Sequence, residues 1–215
     1  MIKGVVFDLD GVIVDSPKIY FRVMKNFLKK HSLSVTDKEV SSLICHSLRD
    51  ELEFINKKYS LNISHSEFVK ETLDESIRVS EKELELNACV RELLVDLKKN
   101  GLAIGLASNN DKRSIDYMLN RFGIGSFFSA IVCAEDVVAG KPNPDIYLKA
   151  VKRLRLLPKE CVAIEDTFIG VESVKAAGLK CIAFPNQFAK SGSFAKADLV
   201  VESLGELSAK RILGL

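Results

Sequence analysis

The chain has no apolar run long enough to cross a bilayer, which excludes a helical membrane span. Its start lacks the basic region, apolar middle and small-residue cleavage site of a secretory signal, so the expected location is the cytoplasm. It has no CxxC pair. The five cysteines, Cys45, Cys89, Cys133, Cys161 and Cys181, are scattered, and the last three sit in apolar runs. They read as reduced core residues, not as a disulfide framework or a zinc site. The three histidines, His31, His46 and His65, have no metal-ligand spacing. Neither sign of charge dominates: 31 Lys and Arg face 29 Asp and Glu. Without a basic stripe interleaved with aromatics, a nucleic-acid partner is not expected. Internal repeats and low-complexity segments are also missing.

What is present is a 215-residue chain, long enough for one large domain or one domain with a smaller insertion. Its first dozen residues hold the key stretch. Gly4 to Phe7 is an apolar, β-branched run that reads as a short buried strand. Asp8 and Asp10 follow, and then Gly11. Residues i and i+2 of an extended chain share a side, so both carboxylates can overhang the strand's carboxyl end, where open α/β sheets bind ligands. Carboxylates this close repel in a dry site, and a hard dication such as Mg²⁺ is the natural neutraliser.

Downstream, Ser16-Pro17 predicts a helix start with serine as N-cap, and Tyr20, Val23, Met24 and Phe27 make a helical stripe. Helices are predicted over Asp37 to Ile44, Leu48 to Tyr59 and Ser64 to Ser80, in polar, charge-rich sequence that reads as a helical insertion. From Asn87 the pattern changes. A stripe of Val90, Leu93, Leu94 and Leu97 ends at Asn100-Gly101. Strands are predicted at Leu102 to Ala107, Ala130 to Cys133, Cys161 to Ile164, Lys180 to Phe184 and Leu199 to Val201. Helices alternate with them: one carries Ile115, Met118, Leu119 and Phe122, and one carries Ala150, Val151 and Leu154. A third runs from about Phe168 to Ala177 with Gly178 as its cap, and a closing helix spans Leu204 to Leu213. The alternation predicts an α/β fold with a doubly wound, mainly parallel, Rossmann-like sheet. Residues 1–14 and 87–215 form the core domain in this reading, and residues 15–86 an inserted α-helical cap domain.

Three strands stop at polar clusters: Asp8-Asp10, Ser108-Asn109 and Glu165-Asp166. In a parallel sheet these ends share one edge, beside the loop that carries Lys141. Each cluster has an ordinary explanation. Ser108 can be a helix N-cap, Lys141 a solvated loop lysine, and Glu165-Asp166 acids that favour a helix dipole. All of these at one sheet edge would be a coincidence repeated.

The motifs DLDGV at 8–12, Ser108 at a strand end, GKPNPDIY around Lys141 and EDTFIGVESVKAAG at 165–178 occur in order along the whole chain. With them the chain resembles the haloacid dehalogenase (HAD) superfamily of phosphohydrolases. It is most similar to the capped subgroup that includes β-phosphoglucomutase and the sugar-phosphate and phosphoglycolate phosphatases. The resemblance implies a Mg²⁺-dependent phosphatase acting on a small phosphate ester through an aspartyl-phosphate. Asp8 would be the nucleophile, and Asp10 the general acid and then base. Asp8, the Asp10 carbonyl, Glu165 and Asp166 would hold the metal. Ser108, the Asn109 backbone N–H and Lys141 would grip the phosphoryl oxygens. Asp10 also argues against a true dehalogenase, which has no alcohol leaving group to protonate.

The cap loop reads Cys45-His46-Ser47-Leu48-Arg49-Asp50 and lacks the glycine of related caps. Arg49 stands where β-phosphoglucomutase-like caps hold a second phosphate, so His46 and Arg49 are candidate substrate contacts and a phosphomutase is the alternative. Ser108-Asn109 favours the phosphatase, and Lys112 and Arg113 either touch substrate or face solvent. A third alternative is a non-catalytic phospho-acceptor of the receiver type, disfavoured because the acceptor aspartate comes first here and a cap is present. A monomer is the default for a chain with its own core.

Overall fold

The structure is a computed structural model that describes residues 1–43, 48–186 and 193–215, with the side chains of 42–50 outside the description. The chain divides into two compact units, one of Met1–Val14, Leu86–Asn186 and the C-terminal stretch, the other centred on Asp15–Glu85.

The first unit is built on a sheet of six parallel strands among the described residues. They are β1 (Gly4–Phe7), β2 (Ala103–Ala107), β3 (Ala130–Val132), β4 (Cys161–Glu165), β5 (Lys180–Ala183) and β6 (Leu199–Val200). Their order is β3-β2-β1-β4-β5-β6, so β1 is central. Phe7 is in register with Leu106 on one side and Ile164 on the other. The chain winds outward from β1 in both directions, which makes the carboxyl end of β1 the switch point where such sheets open a crevice.

Full burial of β1 explains why its four residues are apolar without alternation. Val6 packs into a cluster with Ile146, Tyr147, Ala150, Val151, Val171 and Val174. These come from the helices Asp145–Arg153 and Phe168–Ala176. Phe7 points to the opposite face, where its ring meets Phe128 edge-on at 6.4 Å. The helix Val90–Lys99 ends as predicted, with Asn100 capping it and Gly101 at φ 72°, and it packs on β2.

The second unit is helical: α1 (Ser16–Lys30), α2 (Asp37–Leu43), α3 (Leu48–Tyr59) and α4 (His65–Glu83). Its core joins Met24, Phe27 and Leu28 to Val40, Leu52, Ile55, Ile63 and Phe68. Phe27 and Phe68 meet edge-to-face at 5.0 Å between centroids. Ser64 caps α4, accepting a hydrogen bond from the Glu67 N–H at 3.2 Å. The Asn56 amide bonds both the N–H and the carbonyl of Ile63, closing the α3–α4 turn.

Several boundaries differ from expectation by a few residues, and three of them are instructive. Asp15, not Ser16, holds the N-cap position of α1. Its N–H is tied to the Glu85 carbonyl at 3.0 Å, so the helix starts on Ser16 itself. Gly178, at φ 77°, stands one residue beyond the cap, which is Ala177. The closing helix breaks in two, a 3₁₀ turn at Leu204–Glu206 and a short helix at Ala209–Leu213. Leu207 is extended there, and the Ser208 hydroxyl starts a new helix by accepting from Arg211 N–H.

Phe68 is fully buried against Phe27. Phe68→Ala is therefore expected to cost about 3–5 kcal/mol, read from urea unfolding followed by circular dichroism. A loss under about 1 kcal/mol would contradict this packing.

Candidate active site

The site grows from three strand ends. The ladder continues one residue past each strand: Asp8 N–H donates to the Ile164 carbonyl at 3.0 Å, and Ser108 N–H to that of Val132 at 3.1 Å. The sheet thus fixes the backbone of both residues, and β4 delivers Glu165 and Asp166 to the same edge. Asp8, Ser108, Glu165 and Asp166 are all buried, at 6%, 1%, 1% and 3% exposure. For acids this is rare unless they are paired.

The partner is Lys141. Its Nζ donates to Asp8 Oδ1 at 2.5 Å, to Glu165 Oε1 at 2.7 Å and to the Ala107 carbonyl at 3.0 Å. All three ammonium protons are engaged, the side chain is 7% exposed, and the Tyr147 ring lies 5.0 Å away. A solvated loop lysine is excluded. Burial works against its charge, but Asp8 and Glu165 outweigh it and raise its pKa.

Glu165 is the most heavily bonded acid of the group. Besides Lys141, Oε1 accepts the Tyr147 hydroxyl at 2.6 Å, and Oε2 accepts the Asp166 N–H at 3.1 Å. Asp166 Oδ2 accepts the Asn186 amide at 2.6 Å, and Asp10 Oδ2 accepts the Asn110 amide at 2.6 Å. Two glycines make room for these acids. A Cβ on Gly170 would lie 1.9 Å from Glu165 Cδ, and one on Gly11 would lie 1.8 Å from Asp166 Oδ2. Gly11 also sits at φ 77°, where L side chains are strained.

Burial, with help from Glu165 and Asp10 and against the pull of Lys141, pushes Asp8 up to about 7. Burial first, then Asp8 and Glu165, holds Asp166 well above the usual carboxylate range. Three buried carboxylates therefore share one buried ammonium. Oxygens of Asp8, Glu165 and Asp166 lie within 4.8 Å of one another. An all-oxygen donor set with surplus negative charge fits a hard divalent cation.

Residues 5–184 match the family model described as haloacid dehalogenase-like hydrolase. The chain belongs to this family. It is 32% identical to the β-phosphoglucomutase of Bacillus subtilis, over 96% of this chain and 92% of that one. It is 29% identical to a phosphorylated carbohydrates phosphatase of Thermotoga maritima, covering 84% and 83%. Its structure is similar to that of a β-phosphoglucomutase of Clostridium difficile, with a TM-score of 0.78 and 29% identity over 100% and 96% of the two chains. The chain is thus an enzyme of the hydrolase and phosphomutase type.

Among the candidates from sequence, Asp8 and Glu165 contact Lys141 directly, and Asp166 lies beside them with its N–H bonded to Glu165. Ser108 does not cap the next helix; Asp111 does, accepting from Ser114 N–H at 2.9 Å. Ser108 Oγ instead accepts the Asn110 N–H at 3.1 Å. The Asn109 side chain holds the loop of Lys141, its Oδ1 accepting the Lys141 backbone N–H at 3.1 Å. Lys112 pairs with Asp116 at 2.5 Å on the surface, and Arg113 is exposed. His46 lies outside the described residues; Arg49 is in the first turn of α3, with its side chain outside them. Sequence reasoning missed Asn110, Tyr147, Asn186 and Gly170. Tyr147 alone left a signal, a hydroxyl inside an apolar stripe that must find a buried partner.

Two outcomes follow from the crowding of these acids. Gly170→Ala should displace Glu165 and lower the affinity for a divalent cation at least about tenfold, read by calorimetric titration; unchanged affinity contradicts the geometry. Asp8 has a folded pKa of about 7, above its ordinary 3.8, so its ionisation opposes folding. Its contribution is intact below about pH 4 and fades as pH rises toward about 7. In EDTA the protein should melt at a lower temperature at about pH 7 than at about pH 5, with Asp8→Asn flattening the difference. A melting temperature that rises through that window would contradict the sign.

Proposed function

We propose that the chain is a Mg²⁺-dependent phosphatase of small, soluble phosphorylated metabolites, sugar phosphates or short-acid phosphates, working through an aspartyl-phosphate on Asp8. The observation that carries this reading is the buried contact of Asp8 with Lys141 at the switch point, with Asp10 two residues further on. A carboxylate nucleophile suits a phosphate monoester because it splits one very slow step into two.

In the first step an Asp8 oxygen attacks phosphorus. The bond from phosphorus to the leaving oxygen breaks, and Asp10 gives that oxygen its proton. In the second step Asp10 takes a proton from water, the water oxygen attacks the phosphorus on Asp8, and inorganic phosphate leaves with Asp8 regenerated. The Ser108 hydroxyl, the Asn109 N–H and the Lys141 ammonium hold the non-bridging oxygens as their charge shifts. Asp8, Asp166, Glu165 and the main-chain carbonyl of Asp10 would hold Mg²⁺, which supplies positive charge to offset that of the phosphoryl group. Residues 15–86 would act as the cap that selects the substrate, with His46 and Arg49 as contacts.

A second reading is a phosphomutase, in which Asp8 hands its phosphoryl group to a second sugar. The relative named β-phosphoglucomutase, at 32% identity, supports it. Interconversion of hexose 1-phosphate and 6-phosphate, stimulated by the bisphosphate, separates the two.

Phosphate release should occur from at least one monoester of a panel of phosphorylated sugars and acids, and should stop in EDTA. Asp8→Asn should lower turnover at least about 10³-fold with an unchanged circular dichroism spectrum. Retained turnover in that variant would overturn the proposal, and a persistent aspartyl-phosphate without turnover would favour a phospho-acceptor.

A further inference from the structure

Asn110 lies in the loop between β2 and the next helix, and it is anchored at three points. Its N–H donates to Ser108 Oγ at 3.1 Å, and its carbonyl accepts the Ala134 N–H at 3.0 Å. Its side-chain amide then reaches back 100 residues along the chain and donates to Asp10 Oδ2 at 2.6 Å. Helix capping does not explain it, because Asp111 performs that task next door. Nor is Asn110 buried for packing; it is half-buried, as is Asp10.

Asp10 needs such a hold. It stands three residues past β1, in a turn where Gly11 N–H bonds the Val14 carbonyl at 2.8 Å, and is therefore outside the ladder that fixes Asp8. A carboxyl group is a rotor with two equivalent oxygens. An amide donor at Oδ2 breaks the equivalence and fixes which oxygen faces Asn110. The amide is neutral, so it orients without adding charge beside Lys141. Fixing the orientation of a proton donor is a recognised source of rate.

We propose that Asn110 is a positioning residue that aims the Asp10 carboxyl at the leaving-group oxygen. The inference rests on the phosphatase reading and adds a residue to it. Asn110 transfers nothing; the proton moves from Asp10 to the bridging oxygen as its bond to phosphorus breaks.

This role is visible in the dependence on leaving group. An alkoxide leaves only with a proton, whereas 4-nitrophenolate leaves without one. kcat/KM reports events up to the first irreversible step, which is phosphoryl transfer to Asp8. Asn110→Ala should therefore lower kcat/KM about 10- to 100-fold for the alkyl monoester the wild type turns over best. It should leave 4-nitrophenyl phosphate within about threefold. Asn110→Leu keeps about the same size, adds no charge and removes the donor, and should show the same selective loss if the alanine variant folds poorly. Asp10→Asn should reproduce the selectivity, and the double variant should add little to it, since coupled groups are not additive. In an active wild type, equal losses on both substrates, no loss on either, or full additivity would overturn the inference alone. A wild type that hydrolyses neither substrate would overturn the phosphatase reading, and this inference with it.

Discussion

The ammonium of Lys141, buried between the carboxylates of Asp8 and Glu165, is the contact on which the rest of the site depends. Without it, three acids would face one another at a sheet edge almost cut off from water, a state proteins avoid by protonation or by binding a cation. Its three donors also tie three strands together, through Asp8 after β1, the Ala107 carbonyl of β2 and Glu165 of β4. The catalytic geometry and the centre of the sheet are thereby one structure.

Around that contact, the three acids other than Asp8 each have a neutral donor. Asn110 serves Asp10, Asn186 serves Asp166 and Tyr147 serves Glu165, each at 2.6 Å. Such donors fix orientation without cancelling the negative charge that draws in a divalent cation. Burial concentrates the effect, since hydrogen bonds and charges act more strongly away from bulk water. The cost is tolerance for steric change: Gly11 and Gly170 admit no side chain because the carboxylates occupy that space.

Much of this was legible in the sequence, for identifiable reasons. Buried strands of a parallel sheet are continuous apolar runs, so Gly4–Phe7 and the run ending at Ala107 stand out, and the polar residues that stop them mark the sheet edge. The charged candidates Asp8, Glu165 and Asp166 are conspicuous because they stop such runs, and Lys141 because of the GKPNPDIY motif around it. The partners of those acids were not legible. Asn110, Tyr147 and Asn186 contribute uncharged donors, and only the strand order β3-β2-β1-β4-β5-β6 brings two of them across the chain to their carboxylates. That order is set by packing, not by local periodicity. Local chemistry also misled at the closing helix, where Ser208 starts a second helix inside one apolar stripe. In the helical unit the stripe identified the core residues Met24 and Phe27, but pattern alone does not show which side chains meet a substrate.

The central claim is that Asp8 carries the phosphoryl group between two in-line displacements. The stereochemical course at phosphorus tests it most directly, using a monoester made chiral with oxygen isotopes and sulfur, turned over in isotopically labelled water. Two displacements, one by Asp8 and one by water, predict net retention of configuration. Net inversion, the signature of a single attack by water, would contradict the account.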